Sequence, residues 1–164
     1  MKDRKFIVSE PEKCTGCRIC ELGCSAAKEG AFDPLSSRIR MVRIEHLADM
    51  ALTCRLCEIP KCVRSCPEKA LRQDEKTGVI LVDEQKCTAC KWCMEACEFG
   101  AILLHPNKKV VAVCDLCEGD PKCISFCPKE ALQLMSGEEL GQKMRRATLT
   151  KLLSESSLTS VEHK

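Results

Sequence analysis

Large side chains are scarce in this chain. Its 164 residues include no Tyr, one Trp and four Phe, so aromatic packing cannot anchor the interior. The apolar share of 45% includes 16 Cys, and taking those 16 of 164 away leaves about 35%, thin for an ordinary core. No run approaches the length that spans a bilayer. Residues 1–11 are short and charged, without an apolar signal stretch or a twin-arginine pair, so the expected location is cytoplasmic. A net charge of +2, with no basic stripe, excludes the electrostatic footprint of nucleic-acid binding. There is no Gly-rich phosphate loop, no Ser/His/Asp set and no flavin signature. His46, His105 and His163 lack metal-type neighbours, and His105, before Pro106, reads as a surface turn residue. Nothing here handles a substrate.

What the chain has is cysteine, in four groups of four: Cys14, Cys17, Cys20, Cys24; Cys54, Cys57, Cys62, Cys66; Cys87, Cys90, Cys93, Cys97; and Cys114, Cys117, Cys123, Cys127. Groups one and three read C-x2-C-x2-C-x3-C. Groups two and four read C-x2-C-x4-C-x3-C-P and C-x2-C-x5-C-x3-C-P. This is an internal repeat, tight then wide, twice over.

The spacing selects among metals. A reduced compartment disfavours a disulfide mesh. Zinc ribbons use two separated C-x2-C pairs around a longer loop, whereas these groups crowd too many thiols for one tetrahedral ion. A cubane needs a thiolate at each iron corner. C-x2-C-x2-C wraps three corners, and the fourth cysteine is known to reach a neighbouring cluster in two-cluster proteins. The reading is four 4Fe-4S clusters, which would also fill the interior that aromatics do not and couple folding to metal.

Short β-type runs at 6–8, 39–44, 79–82 and 110–113 flank the groups, with hairpins expected at 70–73/79–82 and 101–104/110–113. A short helix is expected after each fourth cysteine, as at 67–70, where Pro suits a first helical position. Leu56, Ile59, Val63, Leu116, Ile124 and Phe126 are the expected apolar sleeve, and Trp92 an expected core contact shielding a cluster. The fold class is α+β: tandem bacterial-ferredoxin-like modules of short two-stranded sheets and short helices, then a helical tail. The expected division is 1–136 for the four-cluster unit and 137–164 for the extension. Within the latter, 138–153 reads as a helix striped by Leu140, Met144, Ala147 and Leu152, with a frayed end from Ser154.

The second group, Cys54-Arg-Leu-Cys57-Glu-Ile-Pro-Lys-Cys62 with Cys66-Pro67, and the fourth, Cys114-Asp-Leu-Cys117-Glu-Gly-Asp-Pro-Lys-Cys123 with Cys127-Pro128, resemble motifs of the ferredoxin-like iron–sulfur subunits of molybdenum and tungsten oxidoreductases. The fourth is similar to small subunits paired with tungsten enzymes of the aldehyde oxidoreductase family, among them the electron-transfer subunits of class II benzoyl-coenzyme A reductases. The resemblance covers 5–134. It implies an electron-transfer, non-catalytic subunit that relays single electrons to or from a partner carrying a tungsten or molybdenum pterin cofactor, with a further electron-transfer subunit as a second partner. It also implies nested pairing: Cys14, Cys17, Cys20 with Cys127; Cys114, Cys117, Cys123 with Cys24; Cys54, Cys57, Cys62 with Cys97; Cys87, Cys90, Cys93 with Cys66. The spacings themselves allow sequential pairing as well. Glu98 stands where family members often carry Pro; near a cluster its charge would lower the potential, in water it would do nothing.

Three functions of different class fit a cluster protein. A catalytic or sensory one would leave a ligand position open, yet every group is complete. A free soluble polyferredoxin is the alternative to the subunit; it would dock by strong acidity, which a charge of +2 does not provide. The tail either clamps a partner or caps the domain. Anaerobically isolated protein should carry about four irons per cysteine group; stoichiometric zinc in their place would refute the cluster reading.

Overall fold

The computed structural model describes residues 4–45 and 47–159. Among them, eight strands form four antiparallel two-stranded sheets. Strand β1 (Lys5–Ser9) pairs with β8 (Leu132–Ser136), in register from Lys5 opposite Ser136 to Ser9 opposite Leu132. The other sheets are hairpins: β2 (Arg40–Ile44) with β3 (Ala48–Leu52), β4 (Leu71–Gln73) with β5 (Ile80–Val82), and β6 (Ile102–Leu104) with β7 (Val111–Val113). Helix α1 (Ile19–Glu29) packs on α4 (Lys122–Ser125), and α2 (Lys61–Arg64) on α3 (Trp92–Glu95). Helix α5 (Gly137–Thr159) ends the described chain. No helix among the described residues is long and apolar enough to cross a membrane.

One local device builds three of the strands. Cys66, Cys97 and Cys127 are each followed four residues later by a buried Ala, and the strand begins directly after it. The residue before the Ala is left-handed, Lys69 at φ 52°, Gly100 at 58° and Glu130 at 50°. That reversal turns the Ala70, Ala101 and Ala131 N–H groups back onto the three sulfurs, at 3.3, 3.4 and 3.3 Å. The helix expected after each fourth cysteine is therefore a turn, since a left-handed residue cannot continue a right-handed helix. The short helices lie before it instead, α2 and α4 opening at Pro60 and Pro121, whose fixed φ suits a helix start. In the first group the chain stays helical: Cys24 sits inside α1, and Arg38 N–H reaches its sulfur at 3.3 Å.

The core is aliphatic, with Ile39, Ile80, Ile102 and Val113 among its most buried members, and five cysteines are buried within it. Of the expected sleeve, Leu56 and Leu116 are buried and Val63 and Ile124 pack against the core, but Ile59 and Phe126 are exposed. The Phe126 ring lies on Gly23, where an added Cβ would come within 2.5 Å of it, so α1 and α4 approach only because position 23 has no side chain. Trp92 is also exposed, which corrects its reading as a core contact. His105 errs the other way. The β6–β7 turn folds it against the end of α1, burying it with Nε2 3.2 Å from Glu29 Oε2. Its Nδ1 accepts the Asn107 N–H at 3.2 Å. His46 and His163 fall outside the described residues.

Helix α5 opens with a reciprocal cap: Ser136 N–H donates to Glu139 Oε2 at 2.7 Å, and Glu139 N–H to Ser136 Oγ at 3.2 Å. It runs on past Ser154, where fraying was expected, and residues 160–164 lie outside the description. Lys143 tethers it to Glu10 and to Gln133. The hydrogen bond from Lys143 holds the Glu10 carboxyl below its ordinary value, ahead of the opposing effect of burial. A depressed carboxyl stabilises when ionised, so the tether is complete above the unfolded value near 4.5 and is lost as pH falls through the lower folded value. Hydrogen exchange in the first turns of α5 should quicken across that acid window in the native chain; in Lys143→Ala it should already be fast at neutral pH.

Candidate metal centres

The structure gathers the cysteines across groups. Cys14, Cys17 and Cys20 line one pocket with Cys127, together with Met41 and Ala51 of the β2–β3 hairpin. Cys87, Cys90 and Cys93 line another with Cys66. Cys97 stands within electrostatic reach of Cys54 and Cys62. Cys24 stands within reach of Cys114 and Cys123. The first group thus stands beside the fourth and the second beside the third, in keeping with the packing of α1 on α4 and α2 on α3.

These sets also touch one another. Cys123 senses Cys20 of the next set, and Cys114 senses Cys54. The order in space is the Cys14 set, the Cys114 set, the Cys54 set and the Cys87 set. Cys17 and Cys90, one in each outer set, are exposed, while Cys24, Cys54, Cys114 and Cys123 of the inner sets are buried, as is Cys93 beside Cys90.

Backbone conformation shapes each loop. The second residue after the first cysteine is left-handed in every group: Gly16 at φ 65°, Leu56 at 50°, Ala89 at 56°, Leu116 at 58°. Only one of the four is Gly, and for the others the conformation costs roughly 1–2 kcal/mol each. In the fourth group the left-handed run extends through Cys117 and Glu118. Asp115 holds that run: its Oδ1 accepts the Cys117 N–H at 3.1 Å, and its Oδ2 takes Lys28 Nζ at 2.7 Å and Arg38 Nη1 at 3.0 Å. Glu29 extends the network, taking Lys108 at 3.0 Å beside His105. Sequence reasoning missed this half-buried network, because its members come from α1, the loop after it, the β6–β7 turn and the fourth cysteine loop.

Burial pushes the third thiol of each group upward, Cys20, Cys62 and Cys93 each to about 11, with neighbouring thiols adding to the shift. Cys123 shifts further the same way, and Cys114 reaches about 12. Thiols in that range are protonated at neutral pH, so metal loading displaces protons. Among the described residues, no three His, Cys, Asp or Glu side chains converge closely enough for a single metal ion. Four thiols standing around an apolar pocket, with N–H groups turned onto sulfur, fit a larger inorganic cluster. Glu98 points into water and pairs with exposed Lys61, which favours the solvent reading of that residue.

An α+β chain that sets cysteine groups on repeated loop–turn–strand units is a ferredoxin-like iron–sulfur protein. Residues 46–137 match the family described as 4Fe-4S dicluster domain, and the chain belongs to that family. It is an electron-transfer protein with 4Fe-4S clusters. A relative from Pyrococcus furiosus, the polyferredoxin-like subunit of aliphatic sulfonate oxidoreductase, is 39% identical over 140 residues, covering 84% of this chain and 81% of the relative. The beta subunit of NADH-dependent phenylglyoxylate dehydrogenase from Aromatoleum evansii is 41% identical over 130 residues, 77% of this chain, which spans 29% of that longer protein. Electron transport protein HydN of Escherichia coli is 30% identical over 174 residues, covering 88% and 98%. Among solved structures, a chain of the active site complex BamBC of benzoyl coenzyme A reductase matches at 21% identity and TM-score 0.47, over 93% of this chain and 96% of that one.

The left-handed turns yield a sign-paired prediction. An added Cβ at Gly100 meets no atom within 4 Å, so Gly100→Ala bears only the backbone cost, about 1 kcal/mol. Lys69→Gly, at the matching turn, should move stability the opposite way by a smaller amount, since Gly also loosens the unfolded chain. Denaturant midpoints for loss of the cluster absorbance should move apart in those directions.

Proposed function

We propose that this chain is the electron-transfer subunit of a multi-subunit oxidoreductase, working in the cytoplasm and passing single electrons between two redox partners through four 4Fe-4S clusters. The observation that carries the reading is the linear order of four cysteine sets with an exposed thiol at each end, Cys17 and Cys90. A bound 4Fe-4S cluster supplies reversible one-electron chemistry. The residues do the rest. Cys14, Cys17, Cys20 and Cys127 hold the first cluster; Cys114, Cys117, Cys123 and Cys24 the second; Cys54, Cys57, Cys62 and Cys97 the third; Cys87, Cys90, Cys93 and Cys66 the fourth. The Ala70, Ala101, Ala131 and Arg38 N–H groups each donate to a ligand sulfur and favour the reduced, more negative state. Residues 1–136 form the cluster unit and 137–164 its extension. The electron partner is a catalytic subunit, a reading supported by the similarity to the polyferredoxin-like subunit of aliphatic sulfonate oxidoreductase, and the motif resemblance of the second and fourth cysteine groups extends it to a tungsten or molybdenum pterin enzyme.

Paired cysteine substitutions test the assignment. Cys24→Ser and Cys117→Ser should perturb the same paramagnetic signal on reductive titration, and Cys66→Ser and Cys90→Ser should share a different one. If Cys24→Ser instead disturbs the signal altered by Cys57→Ser, the first two groups exchange ligands and the linear order is wrong.

A further inference from the structure

Among the described residues, three ion pairs of Lys or Arg keep both side chains less than one-third exposed: Lys28–Asp115, Arg38–Asp115 and Arg38–Glu29. All three belong to one network, and it adjoins one cysteine set, that of Cys114, Cys117, Cys123 and Cys24. The attachment is double. Asp115 follows Cys114 in the chain, and its Oδ1 accepts the Cys117 N–H at 3.1 Å. Arg38 donates its backbone N–H to Cys24 Sγ at 3.3 Å and its guanidinium to Asp115 Oδ2 at 3.0 Å. Lys28, one turn after Cys24 in α1, reaches the same Oδ2 at 2.7 Å. One carboxylate therefore ties together the two chain segments that bring this set its sulfurs.

The other sets are built differently. Thr15, Arg55 and Thr88 stand where the fourth group has Asp115. Arg55 is exposed and lies over Phe6, its guanidinium 5.4 Å from the ring centre. Lys61 and Glu98, beside the other inner set, are 64% and 63% exposed. Around the Cys14 set the cations Lys13, Arg18 and Arg43 stand out in solvent, and so does Lys86 before Cys87. Water and salt screen exposed charges and act far less on half-buried ones. The poorly screened charge is thus concentrated at the Cys114 set. There Asp115 and Glu29 face Lys28, Arg38 and the more exposed Lys108, with His105 beside Glu29. Glu118, next to Cys117, and Glu84, which lines the same cleft as Arg38, are exposed.

We infer that Asp115, Lys28 and Arg38 set the reduction potential of the cluster held by the Cys114 set: Asp115 positions the Cys117 loop, and the two cations cancel the charge that this positioning brings beside the cluster. The inference rests on the ligand assignment proposed above. Reduction adds one electron at the cluster and moves no bond, so nearby charge weighs directly on the balance: a cation favours the reduced form and a carboxylate the oxidised one. Clamp and charge are separable. The loop needs an acceptor at Oδ1, which an amide also supplies. Among the described residues the Lys28 ammonium bonds Asp115 alone, so its part is charge.

The test titrates the whole chain, loaded anaerobically with its clusters, against dithionite and mediators while the paramagnetic signals are followed. Lys28→Gln uncovers Asp115 and should lower one potential, cutting the reduced-to-oxidised ratio at fixed poise by about tenfold. Asp115→Asn keeps the loop acceptor, leaves Lys28 and Arg38 unpaired, and should raise the same potential. Lys28→Arg should restore the native value. Lys28→Gln and Asp115→Asn break the same ion pair, so a merely structural role would move both in one direction; opposite signs belong to charge. Should Asp115→Asn lose iron, Lys28→Gln against Lys28→Arg decides by the same sign. Potentials left unmoved, shifts of one sign in both variants, or a shift spread equally over all signals overturns the inference and leaves the ligand assignment standing. A shift confined to a signal that Cys24→Ser and Cys117→Ser do not share overturns the assignment, and the inference falls with it.

Discussion

A cysteine that leaves its own loop to join another group fixes the whole topology. Cys127 lines one pocket with Cys14, so the segment after the fourth group returns to the segment before the first, and the β1–β8 sheet is the backbone record of that return. Cys24 stands within reach of Cys114 where α1 lies on α4, and the contact is close enough that a Cβ at position 23 would come within 2.5 Å of the Phe126 ring. The second and third groups repeat the exchange inside the first pair, through α2 and α3. Four small sheets that could not stand alone in water are thereby locked in sequence. Each such pairing makes neighbours of two sets, the Cys14 set with the Cys114 set and the Cys54 set with the Cys87 set, and the approach of Cys114 to Cys54 joins the two pairs.

What the amino-acid sequence made legible was whatever is local. The cysteine groups, the β4–β5 and β6–β7 hairpins and the tail helix could be read because pattern and partner lie a few residues apart. Strands β3 and β8 were missed for different reasons. Ala48–Leu52 has weak strand propensity and is held by pairing with β2. Leu132–Ser136 pairs with a strand at the far end of the chain. A signal for β8 did exist, since a fourth cysteine followed four residues later by Ala occurs before β4 and β6 as well. The burial of His105 and the exposure of Trp92 were not legible, because each depends on which remote element arrives. Leu56 and Leu116 would never be assigned left-handed conformations from residue type.

Those conformations point to what stabilises the fold. The aliphatic core is small, several loop residues are held in costly backbone states, and four buried thiols, Cys54, Cys93, Cys114 and Cys123, sit where ionisation is opposed. Each is a debit for the cluster-free chain, and each turns favourable once the same sulfurs are thiolates bound to iron, with N–H groups already aimed at them. The left-handed residues are what aim those N–H groups, so the strain and the hydrogen bonds have one origin. Folding and cluster loading are for this reason one process. The same logic governs charge: around the Cys14 set the carboxylates of Glu10, Glu21 and Asp49 are the less exposed partners of their ion pairs, and the cations of Lys13, Arg18 and Arg43 stand outward. The interior demands of the cysteine loops therefore shape the charge pattern of the exterior around them.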